Sequence, residues 1–173
     1  MTSPRRLVLV RHAKSDQHPP AGVVDHDRPL NERGRRDAPE LGRWLAATVG
    51  RPDLVLCSSA LRAQETWRLA AAAFDPAPTL EVSPRLYQAS PGKLLAGVRE
   101  VDPEVVTLVV VGHEPVQSTL AQALAGPGSS ADALTGLAAG FSTSAVAVLE
   151  LDLPWDALAP HGARLARFAV PRG

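Results

Sequence analysis

The chain lacks the features that mark several large classes of protein. It has one cysteine, Cys57, among 173 residues, so it can form neither an intrachain disulfide nor a thiolate zinc cluster, which suits a reducing cytoplasm. Lysine and arginine together number 18, as do aspartate and glutamate, and a net charge of zero argues against binding to nucleic acid or to an anionic membrane. No apolar run approaches the roughly 18 residues of a membrane-spanning helix or forms a signal peptide. We therefore expect a cytoplasmic protein.

The order of predicted elements indicates an α/β protein. The length fits one domain, residues 1–173, because no repeat or domain-splitting linker interrupts the chain. Short runs rich in valine and leucine predict strands at residues 7–10, 54–57, 80–82, 107–111, 145–151 and 164–170. Helical spacing predicts helices at residues 31–49, 61–74, 91–101 and 117–125. Because strands alternate with helices, we expect a layered sheet with helices against it.

Two of the predicted helices carry specific expectations. Asn31 is placed to cap the first helix, because its side chain can accept a hydrogen bond from an amide of the first turn. For the second helix, the spacing predicts an inward face made of Leu61, Glu65, Trp67, Leu69 and Ala70. The stretch at residues 18–29 is rich in proline, glycine, aspartate and histidine and is predicted to be a loop.

Polar side chains follow three of the predicted strands directly. Arg11 and His12 come after the first strand, the segment 58–62 ending in Arg62 after the second, and His113 after the strand at 107–111. If these strands are parallel neighbours, their carboxyl ends meet at one edge of the sheet, and the four side chains converge there.

Two arginines and two histidines form a set suited to an anion with several oxygens. Arginine presents a planar fork of donors and stays charged, so two of them can hold a phosphoryl group from different sides. A neutral imidazole is a competent nucleophile at phosphorus, and a second imidazole can donate to an equatorial oxygen. Phosphoryl transfer depends mostly on such positioning and charge stabilisation.

Four ordered segments resemble the histidine phosphatase superfamily, also called the phosphoglycerate mutase-like group. "LVLVRHAKS" resembles its RHG signature, "RPLNERG" its L-T-x-x-G segment, "CSSALRAQET" its S-x-x-x-R-A-x-x-T segment, and "VVVGHEP" its second-histidine segment. The match runs from residue 7 to about 168. The short chain, the RHAKS variant and the "HDRPL" lead-in most resemble the SixA-type phosphohistidine phosphatases.

This resemblance implies a fold and a set of roles. The fold would be a three-layer α/β/α sandwich with a mixed, mostly parallel sheet. His12 would be the nucleophile, Arg11 and Arg62 would clamp the phosphoryl oxygens, and His113 would be the second imidazole that donates to the phosphate. No metal or other cofactor is implied, and phosphate or sulfate is expected to bind in the pocket.

Two departures from the family pattern bear on the substrate. Ala13 replaces the usual glycine, which adds a Cβ next to the pocket. Mutase-like members carry a glutamate as general acid after the third strand, whereas residues 85–88 here read Arg-Leu-Tyr-Gln. An alkoxide leaving group needs such an acid, which is worth about 10²–10⁴-fold in rate, and imidazole needs it less. Four carboxyl groups could substitute for the missing acid: Asp16, Asp25, Asp27 and Glu114.

Three functions are therefore open, and a mutase is a weaker interpretation because the acid and the long insertions of mutases are missing. The missing acid favours a phosphatase that removes the phosphoryl group from phosphohistidine in a partner protein. A phosphomonoesterase for small molecules such as nucleotide or sugar phosphates would share the same chemistry and differ at the rim of the pocket. A non-catalytic phosphate-binding module belongs to another class, and the complete set of two arginines and two histidines speaks against it.

Overall fold

A single six-stranded sheet organises the molecule. The structure is a computed structural model, and it describes residues 4–173. The strands are β1 (Arg5–Arg11), β2 (Leu54–Ser58), β3 (Thr79–Ser83), β4 (Thr107–Gly112), β5 (Val146–Leu151) and β6 (Arg164–Ala169). Their order in the sheet is β3-β2-β4-β1-β5-β6. The first four in this order are mutually parallel, while β5 runs antiparallel to both of its neighbours. The predicted mixed, mostly parallel sheet is confirmed.

Helices cover both faces of the sheet and make the three predicted layers. The five helices are α1 (Glu32–Thr48), α2 (Leu61–Ala70), α3 (Pro91–Arg99), α4 (Val116–Leu124) and α5 (Ala131–Ala139). Side chains alternate along β1, so that Leu7 and Leu9 join the core under α3, α4 and α5, while Val8 and Val10 join the core under α1 and α2. Among residues 4–173, no helix is long and apolar enough to cross a membrane.

Local signals in the sequence explain where the first two helices begin and end. The Asn31 side chain accepts a hydrogen bond from the Gly34 amide at 2.9 Å, which confirms the predicted cap. α2 ends at Ala70 and passes into a 3-10 turn over Ala71–Ala73, so the single helix predicted for residues 61–74 is wrong in its last turn. α1 and α2 approach closely, and a Cβ on Gly42 would lie only 2.1 Å from the Ala70 carbonyl oxygen. Glycine is required there by this contact.

The inward face of α2 differs from the predicted one. Its buried residues are Arg62, Ala63, Thr66, Trp67 and Ala70, whereas Leu61, Glu65 and Leu69 are only partly buried. The helix is rotated so that small residues meet the sheet and an arginine reaches the end of β1. Hydrophobic spacing alone does not reveal this arrangement, because the side chain that enters the cleft is charged.

Candidate active site

The three predicted clusters meet at one edge of the sheet. β1 and β2 both pair with β4, and Arg11 lies opposite Gly112 in the ladder between β1 and β4. The backbone amide of His12 donates to the Gly112 carbonyl at 3.1 Å, so that β1 and the start of the His113 segment are joined. We call Arg11, His12, Arg62 and His113 the floor of the cleft, since His12 and Arg62 are only 7% and 6% exposed. The predicted convergence is confirmed.

His12 is held as a neutral imidazole with one free nitrogen. Its Nδ1 lies 2.7 Å from the carbonyl oxygen of Ala13. Because a carbonyl can only accept, Nδ1 carries the proton and Nε2 keeps its lone pair. Burial lowers the pKa of His12 to about 3, helped by the positive potential of Arg62 and Arg11. At neutral pH, the side chain is therefore an uncharged imidazole with an available lone pair, near two guanidinium groups.

His113 faces His12 across the floor. The ring centroids are 5.2 Å apart, and the planes are inclined by 54°. The Nε2 atom of His113 lies 2.7 Å from the Ser58 hydroxyl, while its buried Nδ1 has no hydrogen-bond partner among the described residues. Burial also lowers the pKa of His113, to about 4, with a further contribution from Arg62. Nδ1 is thus the ring nitrogen that is free for a ligand.

Ser58 links the end of β2 to the His113 ring. The residue is fully buried, and its Oγ accepts a hydrogen bond from the Ala60 amide at 3.3 Å. With one acceptor site filled, the hydroxyl proton can be donated to Nε2 of His113. When the hydroxyl donates in this way, the proton of a neutral His113 lies on Nδ1, from which it can be donated to a bound oxyanion.

The two arginines of the floor each have N–H donors without a hydrogen-bond partner among the described residues. Arg62 donates through Nη1 to the Asp25 carbonyl at 2.7 Å and through Nη2 to the Asp25 carboxylate at 3.1 Å. Arg11 donates through Nη1 to the Phe141 carbonyl at 2.9 Å. The Nε atoms of both residues are buried and have no partner among residues 4–173. Buried guanidinium donors of this kind are suited to an anionic ligand, since leaving them unpaired costs free energy.

Thr66 explains why α2 turns Arg62 toward His12. Its Oγ1 donates to the Arg62 carbonyl at 2.6 Å and accepts the Ala13 amide at 2.9 Å. The turn after His12 is therefore bonded to the same helix turn that carries Arg62. Ala13 itself is fully buried, in a small cluster with Leu30 and Ala38. Its extra methyl group thus packs in the core near the turn.

A second set of side chains stands at the mouth of the cleft. We call Asp25, Arg28 and Tyr87 the rim. Tyr87 donates its hydroxyl proton to Oδ2 of Asp25 at 2.8 Å, and Arg28 donates through Nε and Nη2 to Oδ1 at 3.1 and 2.8 Å. The hydrogen bond from Tyr87 is the main reason why the pKa of Asp25 falls to about 2. The Asp25 side chain is 55% exposed, in contrast to the buried floor.

Each of the four carboxyl groups considered as general acids accepts at least one hydrogen bond. Asp25 accepts from Tyr87 and Arg28 at the rim and from Arg62 of the floor. Asp16 accepts the His18 amide at 3.0 Å, and Asp27 lies 2.8 Å from Nδ1 of His26. Glu114 accepts both the amide and the hydroxyl of Ser118 at the start of α4. Of the four, the structure brings only Asp25 into contact with a floor side chain.

Two cavities are lined by residues of the segment that carries Tyr87. A cavity of about 210 Å³ lies beside His113 and Tyr87, and Leu94 and Val116 are among its apolar lining residues. A larger groove of about 700 Å³ runs between β3 and α3, but its lining includes none of the floor residues. Of the four floor residues, His113 alone is among those that line the smaller cavity.

Sequence reasoning missed three residues that shape the site. Ser58 and Arg28 lie within the segments that carry the family resemblance, but their contacts could not be predicted from the sequence. Tyr87 was noted only because no carboxylate stands in its segment. His18, His26 and His161 do not cluster, and among the described residues no group of three or more histidine, cysteine or acidic side chains is arranged to hold a metal ion.

Comparisons with known proteins point to one family. The family model described as "Histidine phosphatase superfamily (branch 1)" matches residues 7–104. An uncharacterised protein of Mycobacterium tuberculosis is 44% identical over 165 residues, which cover 94% of this chain and 100% of that protein.

Solved structures agree with this match. The structure of a candidate phosphohistidine phosphatase SixA from Nakamurella multipartitia has a TM-score of 0.82 and 32% sequence identity, and the match covers 98% of each chain. A protein histidine phosphatase SixA complexed with tungstate gives a TM-score of 0.76 at 23% identity, covering 96% of this chain and 97% of that one. At that lower identity, the likeness shows a shared fold.

Proposed function

Because this chain belongs to the histidine phosphatase superfamily (branch 1), and is therefore a phosphatase, we propose that it transfers a phosphoryl group from its substrate to His12 and then to water. The observation that carries this proposal is the state of His12. Its Nε2 is unprotonated and the pKa is lowered to about 3, so the nucleophile is ready without a general base. The other floor residues supply donors around it.

In the first step, the lone pair of His12 Nε2 forms a bond to phosphorus. The bond from phosphorus to the leaving group breaks, and its electron pair departs with the leaving group. Arg11 and Arg62 donate to the phosphoryl oxygens, and His113 donates through Nδ1. Each such donor typically contributes about 2.7–4 kcal/mol to lowering the barrier when it is aimed at developing charge. No metal is assigned a part in this step.

In the second step, water attacks the phosphorus of phospho-His12. The P–N bond breaks, its electron pair returns to Nε2, the attacking water loses a proton to solvent, and inorganic phosphate leaves. The same donors serve both steps, because the phosphoryl group keeps its place while the groups on either side of it exchange. His12 is regenerated as the neutral imidazole.

We further propose that the physiological substrate is phosphohistidine in a partner protein. Of the four carboxyl groups that could act as acids, only Asp25 contacts a floor side chain, and its pKa is lowered to about 2, so it is ionised and an alkoxide would leave without a carboxylic acid to protonate it. Imidazole leaves more readily, since its nitrogen accepts the electron pair without forming a strongly basic alkoxide. The exposed carboxylate at the rim suits a cleft that a side chain of another protein can enter. The candidate SixA relative supports the same substrate class.

A substrate panel tests this proposal. Purified enzyme with chelator present would be assayed with an aryl phosphate, nucleotide and sugar monophosphates, and a phosphohistidine-bearing phosphotransfer protein. We expect chelator-insensitive activity with the highest kcat/KM for the phosphohistidine protein. His12→Ala should abolish turnover, whereas His161→Ala, an exposed histidine between β5 and β6, should not change it. Preference for one small monoester would contradict the proposed substrate, and wild-type activity in His12→Ala would contradict the mechanism.

A further inference from the structure

Tyr87 stands at the mouth of the cleft, beside two of the floor residues. The edge-to-face contact between its ring and that of His113 has a centroid separation of 5.8 Å. The guanidinium carbon of Arg62 lies 6.0 Å from the centroid of the Tyr87 ring. In an in-line displacement, the leaving group lies on the side of phosphorus opposite the nucleophile. With His12 at the buried floor, that side is the mouth, where Tyr87 lies.

The hydrogen bonds of the rim determine what Tyr87 can offer a leaving group. A carboxylate accepts about four hydrogen bonds, and Asp25 already receives four, two from Arg28, one from Arg62 and one from Tyr87. The Tyr87 proton is thus committed to Asp25, and this bond raises the pKa of the phenol. The phenolic oxygen keeps its own lone pairs and is polarised by the carboxylate. The Tyr87 hydroxyl therefore presents an acceptor and no free proton.

We propose that Tyr87 is a specificity-determining residue whose phenolic oxygen accepts the N–H of a protonated imidazole leaving group. This inference rests on the proposed function of the floor and adds the selection of the substrate. When His12 attacks, the P–N bond to the substrate ring breaks, and its electron pair returns to that ring nitrogen. The positive charge of the ring is cancelled, and the ring leaves as neutral imidazole with its N–H still bonded to Tyr87.

The same arrangement disfavours the cleavage of a phosphomonoester. A departing alkoxide or phenoxide oxygen requires a donor, and Tyr87 has none to give while its proton is bonded to Asp25. The substrate ring, in contrast, carries its own proton, and the acceptor at the rim favours the protonated form. A monoesterase would need a general acid at this position. Tyr87 instead provides a hydrogen-bond acceptor, which selects leaving groups that already carry a proton on nitrogen.

The test compares two small substrates, phosphoimidazole and an aryl phosphate, in wild-type enzyme and in Tyr87→Phe. The phenylalanine keeps the ring contact with His113 and removes only the hydroxyl. We expect kcat/KM for phosphoimidazole to fall about tenfold, as for loss of a hydrogen bond to a charged group, and kcat/KM for the aryl phosphate to stay unchanged. The high-pH limb of kcat for phosphoimidazole should also move to lower pH, because the bound ring loses the acceptor that stabilises its proton.

His26→Gln is the matched control. The His26 ring packs on Tyr87 with a centroid separation of 4.8 Å, while its nitrogens contact Asp27 and Ser59 and do not touch Asp25. The His26→Gln variant should keep the wild-type kcat/KM for both substrates and the wild-type pH profile. An equal loss for both substrates in Tyr87→Phe, or no loss for either, would overturn the inference while leaving the role of His12 intact. Absence of turnover of both substrates by the wild type would instead contradict the proposed function and the inference with it.

Discussion

The floor and the rim of the cleft differ in burial, in charge and in the origin of their residues. Among the floor residues, Arg11 ends β1, His12 and His113 directly follow β1 and β4, and Arg62 lies in the first turn of α2; His12 and Arg62 are less than a tenth exposed. The rim residues come from 3-10 turns or the residues just after them, and Asp25 at its centre is an exposed carboxylate. We infer that the floor carries out phosphoryl transfer, which is common to many substrates, while the rim selects the leaving group.

Removing the nucleophile should give the largest effect. In His12→Ala, kcat should fall by about 10³-fold or more, on the scale of losing a nucleophile in other covalent mechanisms. The second imidazole cannot take over, because Nε2 of His113 is bonded to Ser58. Initial rates of phosphate release measure this loss, and thermal unfolding of the variant shows whether the fold is retained. A loss smaller than that of Arg62→Ala would contradict the assignment of His12.

A pair of arginine variants compares the two regions directly. Arg62→Ala removes a buried donor from the floor and should lower kcat by about 10²–10³-fold on every substrate. Arg28→Ala removes a partner of Asp25 at the rim and should change kcat/KM for an aryl phosphate by less than about tenfold, since partly exposed ion pairs contribute little. Equal losses in the two variants would show that the division between floor and rim is wrong.

The hydroxyl of Ser58 provides a finer test of the floor. Ser58→Ala should lower kcat about tenfold, because His113 loses the bond that keeps its proton on Nδ1. Nitrogen NMR of the imidazole should show a shift from the Nδ1–H toward the Nε2–H form. Ser59→Ala is the matched control, since the Ser59 hydroxyl bonds His26 and not His113. An unchanged tautomer in Ser58→Ala would contradict the positioning role.

The neutral histidines of the floor should also make the protein sensitive to acid. Their pKa values, about 3 for His12 and about 4 for His113, lie below that of an unfolded histidine, about 6.5. Between these values the unfolded state binds more protons, so the free energy of unfolding should decrease as pH falls from about 6.5 toward 4. His12→Gln should reduce this decrease, as measured by denaturant unfolding across the pH range. A pH dependence identical to that of the wild type would contradict the buried neutral state.

A contact outside both the floor and the rim should give the smallest effect on activity. The buried Asp37 carboxylate of α1 accepts from Nη1 of Arg172 at 2.9 Å, and Arg33 lies 3.5 Å away. Arg172→Ala should lower the free energy of unfolding by about 1–3 kcal/mol, because a buried acceptor loses a partner. Denaturant unfolding measures this change. Phosphatase activity of the folded variant should equal that of the wild type, and a drop in kcat would show that the cleft depends on this contact.

The sequence predicted the floor well because strands determine its position. Each of the six strands was expected within two residues of its observed bounds, and parallel neighbours necessarily bring their carboxyl ends to one edge. His12 and His113 could be placed from this rule. The position of Arg62 at the start of α2 could be predicted, but the direction of its side chain could not, because the orientation of α2 depends on the hydrogen bond between Thr66 and the Ala13 amide.

The rim and one helix were not predictable in the same way. Asp25 and Tyr87 are separated by 61 residues, and their contact depends on how two loops fold over the sheet. α5 was missed because its sequence, rich in alanine and containing Gly136, has no clear apolar stripe, and β6 packs against it. The Ser130 side chain, which accepts the Ala133 amide, was the one local signal of its start.

Trapping the phosphoenzyme tests the central claim most directly. Enzyme mixed with a phosphohistidine-bearing protein labelled on phosphorus would be quenched in base, where phosphohistidine survives, and its peptides analysed by mass spectrometry. We predict one labelled peptide, phosphorylated on His12, that disappears in His12→Ala and decays to inorganic phosphate when the substrate is removed. Turnover of the same substrate with the label on another residue, or with no label on the enzyme, would contradict the account.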